Sequence, residues 1–328
     1  MRYDDQDRES KNVEDRRGDG GFQFPMGGRG GIQIPIGGRG GMSITTLLIL
    51  GAIMLFFGIN PLDVLFGGGG GGFPDVPQLP RMDQGAPRRS AERSPLDIPG
   101  LPGRGGEKTQ VPQGEDDMKK FISRVLADTE DVWSRVFQGL GKRYQEPQLV
   151  LFSDGTRTAC GAGLSAMGPF YCPLDRKVYV DLAFYDELKR RFNAPGDFAQ
   201  AYVIAHEVGH HVQTLLGITE KVEELKSDGD ESEQNRLQVM MELQADCLAG
   251  VWANLNDQLK SRLEAGDIEE GLNAASQIGD DMIQKRTQGH VVPDAFTHGS
   301  AAQRVRWIKE GFQAGDLQTC DTFNAEQL

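Results

Sequence analysis

At residues 197–216 the chain reads DFAQAYVIAHEVGHHVQTLL, in which a mostly apolar run surrounds three histidines and a glutamate. Such a run predicts a helix that lies in the core. Asp197, with Gln200 three residues later, is a suitable N-cap, and Gly217 is a suitable stop. We therefore predict one core helix over residues 197–216.

The polar residues of this segment have the spacing of a metal site. Residues i and i+4 of a helix share a face, so His206 and His210 can ligate one zinc ion. Glu207, one step round the helix, can reach a metal-bound water, and this spacing is typical of zinc metalloproteases with glutamate as general base. The chain has only five histidines, and three cluster here, which favours catalytic zinc over a chance match. Gly209 indicates close packing, because glycine costs a helix interior about 1 kcal/mol, whereas His211 is expected on another face.

A catalytic zinc needs a third protein ligand and an open position for water. We predict Glu242, on the next long helix, as that ligand. Asp246 follows four residues later and is expected to accept a hydrogen bond from a zinc-bound imidazole, which fixes the tautomer and orientation of the ring. Small residues such as Ala245 would let the two helices approach closely. His290 and His298 are the competing third ligands.

Hydrolysis at such a site also needs a group that stabilises the developing oxyanion. His298 is our candidate for this role, and Arg304 and Arg306 on the following helix are alternatives. An ordinary role in a helix N-terminal turn is the competing interpretation of His298. By analogy with zinc peptidases, a substrate strand is expected to add to a sheet edge near residues 178–181.

The net charge of the chain limits the classes of molecule that it is expected to bind. The formal net charge is −13, which argues against a nucleic-acid partner, because phosphate binding needs a basic face. A protein or peptide substrate is compatible with it. The oligomeric state is left open.

The four cysteines form no CxxC pair, so a thiolate zinc site is not expected. Cys160 and Cys172 are near neighbours in a turn-rich stretch, and their pairing leaves Cys247 with Cys320. We predict these two disulfides for an oxidising compartment. Four reduced, buried thiols are the alternative.

Composition divides the chain into four parts. Residues 1–42 are polar and then glycine-rich, which predicts a disordered tail. Residues 43–66 contain the longest apolar run and predict a single transmembrane helix, although the uncharged part is at the short end of the roughly 17–25 residues that span a bilayer. Residues 67–114 are rich in glycine and proline and predict a flexible linker. Residues 115–328 are long enough for one folded domain.

The basic residues suggest an orientation for this span. Arg29 and Arg39 precede it, whereas residues 60–80 contain no lysine or arginine. The positive-inside bias therefore predicts a cytoplasmic N-terminus and a periplasmic or extracellular domain, anchored in the cytoplasmic membrane. A cleaved signal peptide is the rival, but its charged region would be unusually long.

The folded domain is predicted to be α+β, with a small sheet followed mainly by helices. An amphipathic helix begins near Glu115. Strands are predicted at 148–152 and 177–181, and further helices at 186–192, 197–216, 231–259, 267–288 and 300–314.

Taken together, the motifs resemble the bacterial neutral zinc metallopeptidases, the YpfJ-like proteins. The resemblance rests on His206-Glu-Val-Gly-His210-His-Val-Gln, Glu242-Leu-Gln-Ala-Asp246-Cys, Gly168-Pro-Phe-Tyr-Cys172-Pro and Thr297-His-Gly-Ser300. The glycine-rich N-terminus and the single span are similar too. The resemblance implies a zincin-like domain with a gluzincin-type site, in which His206, His210 and Glu242 bind zinc and Glu207 is the base.

Two other functions share the motif. A membrane-tethered binding module with a structural zinc would close the site with a fourth protein ligand, such as His211 or His298. A metal-dependent hydrolase acting on non-peptide bonds would keep the site open.

Overall fold

The computed structural model describes residues 1–18 and 113–328, which form an α+β fold that is mostly helical, as predicted. The strands are β1 Val13–Asp15, β2 Gln148–Phe152, β3 Gly155–Thr158, β4 Gly161–Leu164, β5 Phe170–Cys172 and β6 Lys177–Asp181. The helices are α1 Gln113–Gly139, α2 Ala183–Arg190, α3 Asp197–Leu216, α4 Ile218–Asp228, α5 Glu231–Lys260, α6 Asp267–Gln277, α7 Asp280–Gln288 and α8 Ala301–Ala314.

The main sheet has four strands in the order β1-β2-β6-β5. Strand β2 is parallel to both β1 and β6, whereas β5 is antiparallel to β6. The central strands are buried and apolar, as expected for a sheet covered on both faces. Strands β3 and β4 form a separate antiparallel hairpin. The predicted strands β2 and β6 are confirmed.

Helix α5 is the central helix of the helical layer, because both α3 and α8 pack against it. A Cβ on Gly209 of α3 would lie 3.0 Å from the carbonyl oxygen of Ala245, which confirms the predicted close packing. The contact with α8 is closer still. A Cβ on Gly311 would lie 2.8 Å from the carbonyl carbon of Cys247, and one on Gly250 would lie 2.7 Å from the Phe312 nitrogen. Only hydrogen fits at these crossings, so the backbones of α5 and α8 touch.

The N-terminal segment, residues 1–17, belongs to the folded unit. Strand β1 pairs with β2, and Arg8 forms ion pairs with Glu130 and Asp131 of α1. The Met1 amino group donates to Asp197 at the start of α3. The predicted disorder of residues 1–42 is therefore wrong for residues 1–17. This segment is polar and is held by ion pairs with a distant helix. Its sequence therefore lacks the periodic hydrophobic residues from which a folded element is predicted.

Other predictions change in detail. The helix predicted at 267–288 is two helices, α6 and α7, because the chain breaks at Gly279 where α8 begins beside it: a Cβ there would lie 2.7 Å from the Ala301 Cα. Gly196, not Asp197, is the N-cap of α3, since the Asp197 carboxylate binds the Met1 amine. Helix α4 was not predicted.

Both predicted disulfides are confirmed. Cys160 pairs with Cys172, and Cys247 pairs with Cys320. The second bond ties the C-terminal turn to α5, where Gln244 also donates to the Cys320 carbonyl.

Within residues 1–18 and 113–328, no helix has the length and apolar character that a bilayer crossing requires. The predicted span at residues 43–66 and nearly all of the predicted linker at 67–114 lie outside the described residues. The membrane anchor and its orientation therefore stay predictions.

Candidate metal centre

Helices α3 and α5 bring the three predicted ligands together. The Nε2 atoms of His206 and His210 lie 3.2 and 3.5 Å from Oε2 of Glu242. The two imidazole rings meet nearly at right angles, with their centroids 4.8 Å apart. The close approach at Gly209 allows this convergence, because it brings the α3 histidines within reach of a short acidic side chain on α5.

Hydrogen bonds orient both rings in the same way. Nδ1 of His206 lies 2.8 Å from Oδ1 of Asp246, and Nδ1 of His210 lies 2.8 Å from Oε1 of Gln213. The Gln213 amide donates to the Met241 carbonyl through Nε2, which leaves Oε1 as the acceptor for His210. When these rings are neutral, as a metal ligand must be, the proton of each therefore belongs on Nδ1, and the lone pair of Nε2 points at Glu242.

The donor set fits a zinc ion. Ligands at about 2.0–2.2 Å from a tetrahedral ion lie roughly 3.3–3.6 Å from one another. The Nε2–Oε2 distances of 3.2 and 3.5 Å match that spacing. Gln238 donates to Oε1 of Glu242, which leaves Oε2 for the ion. Two imidazole nitrogens and one carboxylate oxygen are suitable zinc ligands.

The electrostatics of the cluster favour a cation at its centre. Burial alone would lower the pKa of His206, but Asp246 and Glu242 outweigh it and raise this pKa to about 10. Burial raises the pKa of Glu207, a residue that is only 7% exposed. A carboxylate with a raised pKa is a better proton acceptor, as a general base requires.

Asp246 is the centre of a fully buried network. Besides His206, it accepts hydrogen bonds from the Tyr202 hydroxyl and from Nε and Nη2 of Arg304. Burial raises the pKa of Asp246, but Arg304 and His206 outweigh it and hold it at about 2. Arg304 is thus committed to Asp246 and buried, so its suggested role as an oxyanion donor is wrong.

The remaining histidines lie in different settings. His211 is buried between the Gln145 carbonyl and the Tyr171 hydroxyl, and burial lowers its pKa to about 4. His290 is exposed and is not part of the ligand group. His298 is half-exposed, its Nδ1 lies 3.3 Å from Oδ1 of Asp280, and it is not part of the ligand group.

Arg306, the other suggested oxyanion donor, forms an ion pair with Glu310 on its own helix. A second group of carboxylates with metal-like spacing consists of Asp197, Asp267 and Glu270. The Met1 ammonium donates to two of these acids, so the cluster already has a cationic partner.

Three residues of the site had been given no role. Tyr202 precedes His206 by four residues, Gln213 follows His210 by three, and Gln238 precedes Glu242 by four. Gln213 and Gln238 are each one helical turn from the residue that they hold, whereas Tyr202 donates across the helix crossing to Asp246. For the two glutamines this spacing was visible in the sequence and could have identified them.

The predicted substrate edge at residues 178–181 is wrong for Val178 and Tyr179, which pair with β5 as well as with β2, whereas Val180 and Asp181 pair with β2. Strand β5 is the outer strand on this side of the sheet. Its Tyr171 contacts His211, which places β5 beside the helix that carries the motif.

Two helices that direct two imidazoles and a carboxylate at one point define a metal site of the HExxH class. The chain matches the model of the family described as "Putative neutral zinc metallopeptidase" over residues 1–96 and 103–323, and it belongs to that family. It is 57% identical to "Uncharacterized protein YpfJ" of Escherichia coli (strain K12) over 213 residues, which are 65% of this chain and 74% of the relative. It is 39% identical to "Uncharacterized protein Rv2575" of Mycobacterium tuberculosis (strain H37Rv) over 249 residues, or 72% and 82% of the two chains. No solved structure matches the chain.

Proposed function

We propose that this protein is a zinc-dependent peptidase that uses Glu207 as general base. One observation carries the proposal: both histidines donate through Nδ1, so their Nε2 lone pairs converge on the free oxygen of Glu242. Within the described residues the ligand group has three members, which leaves a position open. A structural zinc would use four protein ligands, so this count favours the enzyme over a binding module.

Zinc at this site would supply Lewis-acid activation of water and of the scissile carbonyl. The residues of the chain provide the proton transfer. Glu207 is buried and its pKa is raised, so it accepts a proton from the attacking water and returns it to the leaving amine. We assign the donor to the carbonyl oxygen to His298, whose side chain is half-exposed and is held through Nδ1 by Asp280.

A peptide is the substrate class that the fold favours. Strand β5 is an outer strand beside α3, and an extended peptide can add to such an edge through main-chain hydrogen bonds. The family description agrees with this substrate class.

The test compares the full-length protein with Glu207→Gln, using elemental analysis and a library of quenched fluorescent peptides. We expect about one zinc per chain in both proteins, and activity lower by about 10²–10⁴-fold in the variant. Glu220→Gln, on the exposed face of α4, is the matched control and should retain full activity. A wild-type protein without zinc affinity, or a fully active Glu207→Gln variant, would refute the proposal.

A further inference from the structure

His211 joins the helix of the zinc motif to the outer strand β5. It follows Glu207 by four residues, so the two side chains leave the same face of α3. Its Nδ1 lies 3.0 Å from the Tyr171 hydroxyl of β5, and its Nε2 lies 2.6 Å from the Gln145 carbonyl oxygen. His211 is only 1% exposed. The face of α3 that carries the proposed base is therefore bonded directly to β5.

The partners of the His211 ring fix the direction of both hydrogen bonds. The Gln145 carbonyl can only accept, so Nε2 of His211 carries a proton. In the neutral ring Nδ1 is then an acceptor, and the Tyr171 hydroxyl donates to it. The tyrosine ring also meets the imidazole edge to face, with centroids 5.5 Å apart. Helix α3 thus holds the Tyr171 side chain in one orientation.

The neighbours of Tyr171 hold the other face of β5. Phe170 stacks on Tyr179 of β6 with ring centroids 5.0 Å apart, and Cys172 is bonded to Cys160. Side chains alternate along a strand, so Tyr171 faces away from both neighbours and toward α3. The hydrogen bond to His211 therefore helps to fix the distance between β5 and α3.

The outer edge of β5 is available for pairing. Within the part of the chain that the structure describes, the sheet ends at β5 on this side, and β6 is its one partner strand. An extended peptide that adds to this edge is held by main-chain hydrogen bonds along several residues. The position of β5 relative to α3 then decides which peptide bond lies beside Glu207.

We propose that His211 is a positioning residue, which holds β5 through Tyr171 so that an extended peptide paired with this strand lies across Glu207. This inference rests on the proposed peptidase function, and it makes an extended chain of several residues the preferred substrate. Strand pairing away from the scissile bond is made equally in the ground state and the transition state. Its loss therefore raises KM and leaves kcat unchanged.

The test uses the full-length, zinc-loaded protein with a cleaved library peptide and the shortest form of that peptide that is still cleaved. We expect Tyr171→Phe to raise KM for the long peptide by about 3–10-fold, as for one neutral hydrogen bond, with kcat and the short peptide unaffected. Tyr179→Phe is the matched control. It removes a hydroxyl that donates to Asp175, keeps the ring that stacks on Phe170, and should leave the kinetics of both peptides unchanged.

A double-mutant cycle shows whether His211 and Tyr171 act together. His211→Phe keeps an aromatic ring in place but makes neither hydrogen bond, and it should raise KM for the long peptide at least as much as Tyr171→Phe. Adding Tyr171→Phe to this variant should cause no further rise. Should His211→Phe fail to fold, the comparison of the two peptides in Tyr171→Phe decides alone.

Two outcomes would overturn the proposal. Equal losses for the long and the short peptide in Tyr171→Phe would show that the hydrogen bond only supports the metal site. An unchanged KM for the long peptide would show that β5 does not hold the substrate. A wild-type protein that cleaves no peptide would instead refute the peptidase function, and this inference with it, so the two failures are distinguishable.

Discussion

Asp246→Asn is the substitution that best separates the two tasks of the Asp246 carboxylate. Its Oδ1 holds Nδ1 of His206 at 2.8 Å, while both of its oxygens bind the Arg304 guanidinium at 2.8 and 3.0 Å. Asparagine has the same shape but lacks the negative charge. In asparagine an NH₂ group replaces one of the two carboxylate oxygens. This group is a hydrogen-bond donor, and it would face the donor groups that now bind Asp246.

The expected magnitude has two parts. Arg304 is 3% exposed at its side chain and has no carboxylate other than Asp246 within ion-pair distance in the described residues, so its buried charge is left uncompensated. Breaking one side of a buried pair costs about 3–5 kcal/mol of folding stability. Loss of the acceptor that holds a metal-binding histidine lowers metal affinity by roughly 10–100-fold.

Urea denaturation of the zinc-free protein and zinc competition against a chromophoric chelator measure the two effects separately. The double variant Asp246→Asn/Arg304→Met removes the unpaired cation. We expect it to recover much of the lost stability, because replacing both partners of a buried pair is often nearly neutral. It should not recover zinc affinity, since the His206 ring still lacks its carboxylate.

Two results would refute this reasoning. Zinc affinity within about twofold of wild type in Asp246→Asn would show that the carboxylate does not orient His206, since a loss of at least roughly 10-fold is expected. Recovery of zinc affinity together with stability in the double variant would show that the metal effect was only a consequence of loosened packing.

Three further predictions concern packing, the N-terminal segment and the metal. Gly311→Ala should lower the free energy of unfolding by about 1–3 kcal/mol, because its Cβ would meet the α5 backbone; exposed Gln313→Ala should change it by less than about 0.5 kcal/mol in urea denaturation. Arg262→Gln should increase hydrogen exchange in residues 1–17, since Arg262 binds Asp7 and Asp128; unchanged exchange would contradict this. The hydrogen bond from Arg262 lowers the pKa of Asp7 below 3.8, so this contribution is present above that pH and is lost as the pH falls through the lowered value. Zinc at 100 times its Kd should stabilise the protein by about 2.7 kcal/mol, and EDTA should reverse this; equal melting curves would exclude a native-state site.

The sequence predicted the elements whose signals are local. Helix α3 was predicted to the residue, because its apolar run ends at Gly217, which adopts a left-handed conformation as the C-cap. Helix α4 was missed because it is mainly polar and exposed, with Val222 as its one buried residue. Strand β1 has only three residues, and its partner β2 is more than a hundred residues away in the chain. No local pattern can encode such a pairing.

The candidate site likewise has residues that local spacing predicts and residues that depend on distant contacts. The set His206, His210, Glu242 and Asp246 follows from spacing along two helices, and the structure brings these residues together. The role of Arg304 could not be predicted in this way, because α8 reaches Asp246 only through the glycine crossing with α5. A buried arginine that neutralises a carboxylate and an exposed one that binds substrate look the same in a sequence.

The docked N-terminal segment also limits which membrane topologies the chain can adopt. Strand β1 and its partner β2 are hydrogen-bonded neighbours in one sheet, so residues 1–17 and the domain that begins in α1 must share one compartment. A bilayer crossed once between them would place the two strands in different compartments. A paired β1 and a single crossing at residues 43–66 therefore exclude each other in the same molecule, and the state of this short strand reports the topology of the whole chain.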